Sequence, residues 1–264
     1  MKKVIIFSPN PFSLYSICVT ELLRRDDNID IQAIFVRKLF NIKRIFSEFR
    51  RDGKRLVNKI WKKAILKEKA YVKKNYETII DFMNAENIGF RKIEQFKKEY
   101  GIPVIYCYDL NALQVLDYLK NEPTDIIVFT GGGLIRADIL NHAGKGILNC
   151  HIGILPDYRG MDVVEWAILE DRLDRVGITV HLMDVGVDTG NILRKRHITI
   201  HPDETISSIR EKCEPIMCRE LACTCTDYLN EKITAQPQQQ YEGKQYFIMH
   251  QRLISLVEKK LTYI

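Results

Sequence analysis

The sequence predicts an α/β protein: an open, mostly parallel sheet with helices on both faces. Three observations carry this. Short β-branched runs recur along the chain, stretches with helical spacing separate them, and glycine-rich or polar loops stand where the runs end. Strand, helix and returning strand close with a right-handed crossover, so the alternation builds a parallel sheet.

Residues 3–7 and 29–36 are apolar and β-branched, as buried strands are. Between them, 12–25 has helical spacing in Leu14, Ile17, Val19, Leu22 and Leu23. A basic segment follows. From 37 to 75 there are fifteen Lys/Arg against three Asp/Glu, so this stretch carries +12 in a chain whose net charge is +6. Phe46, Phe49, Leu56, Val57, Ile60, Trp61 and Ile65 recur there at three- and four-residue steps, which predicts two or more amphipathic helices broken near Gly53. With further helices at 76–86 and 90–100, the span 37–100 reads as a largely helical insert.

The alternation then resumes with strand 102–106, helix 112–119, strand 125–129, loop 130–133, strand 147–150 and loop 151–160. Helix 163–169, strand 177–183, loop 184–190 and strand 192–200 complete a Rossmann-like domain over 1–202. Asp203 or Thr205 can cap the next helix, which runs to about residue 230 and which Pro215 is expected to kink or divide. A polar stretch at 236–240 and short elements at 243–249 and 253–261 finish a small C-terminal extension over 203–264.

No apolar run approaches the roughly 20 residues that cross a bilayer. The apolar stretch 4–7 is too short for the roughly 7–15-residue core of a signal peptide, so a cytoplasmic protein is expected. Seven cysteines include no CxxC pair. Cys213, Cys218 and Cys223 drift around a helix instead of sharing a face, and read as buried small hydrophobes, with no metal site.

Ligands of open parallel sheets bind beyond the carboxyl ends of the strands. Four loops are expected at that edge: 8–13, 131–136, 149–160 and 184–190. Two hold residues suited to acyl transfer. In NCHIGILPDYRG (149–160), Asn149 and His151 stand two apart on an extended backbone and leave the same face. DVGVDTG (184–190) is a glycine-punctuated turn with two carboxylates. By spacing alone, Asn-x-His fits a structural histidine better than a catalytic one.

The order of the blocks adds to this. Asn-x-His-x-x-x-Leu-Pro-x-x-x-Gly, then GITVH (177–181), then Asp-x-Gly-x-Asp-Thr-Gly resembles the folate-dependent formyltransferase family, with GIPVIYCYDLNA (101–112) similar to its third-strand segment. The resemblance implies that Asn149, His151 and Asp188 are the catalytic trio, with N10-formyltetrahydrofolate as co-substrate and no metal. Negative charge grows on the formyl oxygen as an amine attacks, and the Asn149 amide and a protonated His151 are donors for it. His151, or a water held by Asp188, could shuttle the proton from the attacking nitrogen to the folate nitrogen. Which group is the base stays open. The resemblance also places folate against Leu134, Ile135 and Arg136 and against the 184–188 turn, including Asp184 and Val187. His181 aligns with a family histidine lining the site, a structural strand histidine being the other reading, and Asn10, His181 and Arg159 are the candidate acceptor contacts. Two departures stand out: the 130–133 loop is unusually glycine-rich, and Gly153 stands where many members have serine.

The layout is most similar to the sugar N-formyltransferases, which implies a nucleotide-linked amino sugar as acceptor and a homodimer formed through the C-terminal extension. About 64 residues follow Ile200, which argues against the RNA-binding domain of methionyl-tRNA formyltransferases; that acceptor, or another small amine, is the alternative. The basic insert is read as a solvated helical face. Contacts to the nucleotide, to RNA or to an anionic membrane are its other readings.

Overall fold

The computed structural model describes residues 1–38, 76–131, 133–239 and 241–263. The helices expected within 39–75 lie outside the described residues. Among the described residues, no helix is long and apolar enough to cross a membrane.

The chain opens with β1 (Lys2–Ser8), α1 (Leu14–Arg24) and β2 (Ile29–Arg37). It continues through α2 (Glu77–Ala85), α3 (Glu94–Tyr100), β3 (Val104–Cys107), α4 (Leu113–Asn121), β4 (Ile126–Phe129) and α5 (Ala137–Leu140). After β5 (Ile147–Ile152) come β6 (Tyr158–Gly160), α6 (Val163–Leu169), β7 (Gly177–Leu182) and β8 (Ile192–His197). The long α7 (Ile206–Leu229), β9 (Lys244–Tyr246) and α8 (Gln251–Leu261) close the chain.

Seven strands form one sheet in the order β3-β2-β1-β4-β5-β7-β8. The five from β3 to β5 are parallel, and β7 and β8 each run antiparallel to the strand before them. The open, mostly parallel sheet expected from the sequence is therefore present. Val4, Ile6, Val128, Leu148, Cys150, Ile178 and Val180 face one way, into a core shared with α1, α2 and α7. Ile5, Phe7, Phe35, Ile127, Phe129 and Ile147 face the other way, against α4 and α5. Fully burying a side chain such as Phe7 or Phe35 stabilises the fold by roughly 1.5–3 kcal/mol, so the two-residue alternation of the strands fixes which face each residue serves.

Four expectations are corrected. The loop 184–190, the aspartate loop, does not leave the carboxyl edge with the other loops. Because β7 is antiparallel, Leu182 lies opposite Leu148 near the start of β5, and the loop after β7 has to fold back to reach the strand's far end. The 151–160 segment is not one loop: β5 runs on to Ile152, and 158–160 form β6, which pairs in parallel with β9. Its partner lies far along the chain, so no local pattern announced it. Pro215 does not divide α7, which is one helix of 24 residues. Thr205 caps its start, and Cys213, Met217, Cys218, Leu221 and Cys225 are buried along it; this packing outweighs the missing proline N–H. Cys223 is exposed, unlike its neighbours in that helix.

Candidate active site

Strand alternation on β5 puts Asn149 and His151 on the face opposite α7, while Cys150 between them points into the α7 core. Burial pushes the Cys150 thiol well above its ordinary range, so it is no nucleophile for this face. On β7, Thr179 pairs with His151 and His181 with Asn149. Helices α4 and α5 cover this face only as far as Ile147. Beyond it, the two loops 153–157 and 183–191 close over Asn149, His151 and His181.

The hydrogen-bond partners fix the protons. His181 is 1% exposed. Its Nδ1 lies 2.9 Å from the Leu182 carbonyl, which can only accept, so Nδ1 carries the hydrogen. Its Nε2 then accepts from the Asn149 amide nitrogen at 3.2 Å. Burial pushes the His181 pKa down to about 4, against the opposing pull of Asp188. His181 is therefore neutral near pH 7, and its 3.6 Å approach to Asp188 Oδ1 is no ion pair. The arrangement orients Asn149, whose second N–H remains for an acceptor on this face.

His151 is also buried. Its Nε2 donates to the Tyr158 carbonyl at 2.9 Å, which leaves Nδ1 facing Asp188 Oδ2 at 3.4 Å. A proton on Nδ1 would lie between imidazole and carboxylate. Asp188 has φ 54, an uncommon conformation for a residue with a side chain. Its Oδ2 accepts the Gly160 N–H at 3.0 Å, so the end of β6 meets the 183–191 loop at this carboxylate. The trio expected from the sequence is thus brought together.

Gly153 has a structural reason to differ from serine. With φ 150, a β-carbon there would lie 2.7 Å from His151 Nε2 and 2.8 Å from Val163 Cγ2. There is no room for it.

The other expected residues are placed as follows. A groove of about 390 Å³ beside the aspartate turn is lined by Arg159, Asp184, Val185, Gly186, Val187, Thr189 and Gln245. Asp184 staples that turn, its Oδ1 accepting from Gly186 N at 3.0 Å and from Thr189 Oγ1 at 2.7 Å. Leu134 is 71% exposed, Ile135 is buried and Arg136 is exposed. The Asn111 amide already bonds two of their backbone groups, donating to Leu134 O at 2.9 Å and accepting from Arg136 N at 2.6 Å. Asn10 accepts from Phe12 N at 2.8 Å and so shapes its own loop after β1. Arg159 is buried and donates to the Glu242 carbonyl at 2.7 Å. Sequence reasoning missed Asn111, the Tyr158 carbonyl, the Gly160 N–H and Gln238, whose amide donates to the Asp188 carbonyl at 3.1 Å.

Fold and site together define an α/β protein whose amide, imidazole and carboxylate share one partly enclosed face, a centre suited to moving an acyl group. The chain belongs to the formyl transferase family, whose model matches residues 83–216. It is 35% identical to the methionyl-tRNA formyltransferase of Desulfotalea psychrophila over 121 residues, 46% of this chain and 37% of that protein. The chain spans between 37% and 51% of the length of the curated relatives it matches. Among solved structures, the N-formyltransferase of Helicobacter canadensis superposes with a TM-score of 0.60 at 14% identity, covering 100% of this chain and 81% of that one. Phosphoribosylglycinamide formyltransferase of Anaplasma phagocytophilum gives 0.60 at 13% identity, covering 94% and 99%. At these identities the likeness is one of fold.

Proposed function

We propose that this protein is a folate-dependent N-formyltransferase that moves a formyl group from N10-formyltetrahydrofolate to the amino group of a nucleotide-linked amino sugar. The observation that carries the reading is the convergence of Asn149, His151 and Asp188, with Asp188 Oδ2 at 3.4 Å from His151 Nδ1. When bound, the folate supplies a formyl carbon on a nitrogen able to leave. The acceptor nitrogen forms the new bond to that carbon, the bond to N10 breaks, and one proton passes from the amine to N10. Asn149 donates an N–H to the formyl oxygen, where negative charge develops. The His151–Asp188 pair holds or relays the proton. The 390 Å³ groove next to Asp188, with Val185 79% exposed at its rim, suits a flat donor carrying amide and apolar groups.

The Helicobacter canadensis neighbour, described in complex with folinic acid and dTDP-3-aminofucose, supports the sugar acceptor. Exposed Tyr241, Phe247, Ile248 and Tyr263 on the C-terminal extension support a homodimer formed there. A cytoplasmic location completes this reading. A second reading, with methionyl-tRNA as acceptor, is favoured by the 35% identity to the Desulfotalea psychrophila enzyme. The basic segment 37–75 could serve either anionic acceptor.

The test is to incubate the purified chain with N10-formyltetrahydrofolate and a panel of thymidine-, uridine- and guanosine-linked amino sugars, reading tetrahydrofolate release and the mass of the product. Formylation of one nucleotide sugar supports the proposal. Formylation of methionyl-tRNA alone moves the acceptor to the second reading, and no transfer to any amine sinks both.

A further inference from the structure

Residues 236–239 and 241–246 lie against both loops of the site. Gln236 exchanges backbone hydrogen bonds with Ile192 at 2.8 and 2.7 Å, which anchors the segment beside the start of β8. Further on, β9 pairs with β6, and the Arg159 side chain holds the Glu242 carbonyl. A β-carbon on Gly243 would collide with the Pro156 carbonyl, so the segment lies hard against the His151 loop. Between these anchors stands Gln238. Its Nε2 donates to the carbonyls of Asp188, at 3.1 Å, and of Gly190.

Those two carbonyls flank Thr189, so one amide spans the turn that presents Asp188. The amide cannot be reversed, because its oxygen would then face two acceptors. Its Oε1 is buried with no partner among the described residues, so the two carbonyls set its orientation. The turn needs such support. Asp188 has φ 54, which a residue with a side chain keeps only when its surroundings enforce it. The aspartate loop also leaves β7 at the wrong end and must fold back to place the carboxylate beside His151.

We propose that Gln238 is a positioning residue of the formyl-transfer centre: it fixes the turn that sets Asp188 against His151, so that the C-terminal segment belongs to the catalytic apparatus. The activity arm of its test rests on the N-formyltransferase reading; the spectroscopic arm does not.

Gln238→Met keeps the side chain's length and removes both donors, and Gln238→Ala repeats the test with no bulk to strain the turn. The full chain is assayed with N10-formyltetrahydrofolate and dTDP-3-aminofucose, and the His151 imidazole nitrogens are followed by ¹⁵N NMR. Both variants should lose roughly ten- to a hundredfold in kcat, with KM for the folate little changed. In an Asp188→Asn background the same substitutions should add no further loss, since both act through one carboxylate. The His151 nitrogen signals should move as they do in Asp188→Asn. Wild-type kcat and unmoved His151 signals in the folded variants overturn the proposal, and so does a fully additive loss in the Asp188→Asn background. If the wild-type chain forms no product, the reading of the reaction fails, and the His151 signals alone decide the positioning role.

Discussion

Gly160 donates its backbone N–H to Asp188 Oδ2 at 3.0 Å. The oxygen that receives it also lies 3.4 Å from His151 Nδ1. A main-chain donor at the end of β6 thus aims the carboxylate of the 183–191 loop at the imidazole. Carboxylate and imidazole stay within proton-transfer reach while both segments are held from behind by the C-terminal segment.

Asp188→Asn separates charge from position. Asparagine keeps an oxygen for the Gly160 N–H and a similar volume, so the turn should persist. It cannot accept a proton from Nδ1. The expected result is a loss of roughly 10²–10⁴ in kcat with the melting temperature close to wild type. Retention of wild-type kcat would remove Asp188 from the proton path.

Gly153→Ala tests how tightly His151 is packed. The new methyl would sit 2.7 Å from His151 Nε2 and 2.8 Å from Val163 Cγ2, at a backbone angle that alanine adopts poorly. We expect destabilisation by about 1–3 kcal/mol from overpacking, read as a lower urea midpoint at unchanged slope. Turnover should fall as well, because the clash falls on the nitrogen that binds Tyr158 O. A midpoint equal to wild type would mean that the loop gives way freely.

The sheet was legible because its signals are local. Alternation of apolar residues along 147–152 is enough to place Asn149 and His151 on one face and Cys150 on the other. The trio was legible through the order of its blocks. The direction of β7 was not, because a strand's sense depends on its neighbour and leaves no mark in its own residues. The Tyr158 carbonyl and Gly160 N–H were equally hidden, since any residue type carries them. Gln238 stood in a polar stretch whose composition reads as irregular, and only the folded turn gives its amide two carbonyls to hold. Gly153, a mere departure from a resemblance in sequence, becomes a requirement once His151 Nε2 is in place.

Asn111 should govern donor binding and spare the chemistry. Its amide holds Leu134 O and Arg136 N, which keeps the loop after β4 in shape, yet it bonds none of the trio. Asn111→Ala is expected to raise KM for N10-formyltetrahydrofolate roughly tenfold with kcat nearly unchanged, the pattern of lost uniform binding. A matched fall in kcat would instead place this loop in the transition state.

His181 gives the fold a pH dependence of known sign. Its folded pKa is pushed down to about 4 by burial, against about 6.5 in an unfolded chain. Between those values the unfolded state binds the proton and the folded state does not, so stability rises with pH across the window. The contribution is complete above about pH 6.5 and is lost as pH falls towards 4, reaching about 3 kcal/mol at most. Other groups titrate there too, so the informative quantity is a difference. Urea unfolding of wild type and His181→Gln at several pH values between 4 and 7 should give a steeper loss of stability on acidification for wild type. Parallel profiles for the two proteins would show that His181 titrates alike folded and unfolded, and that it is not the neutral acceptor that orients Asn149.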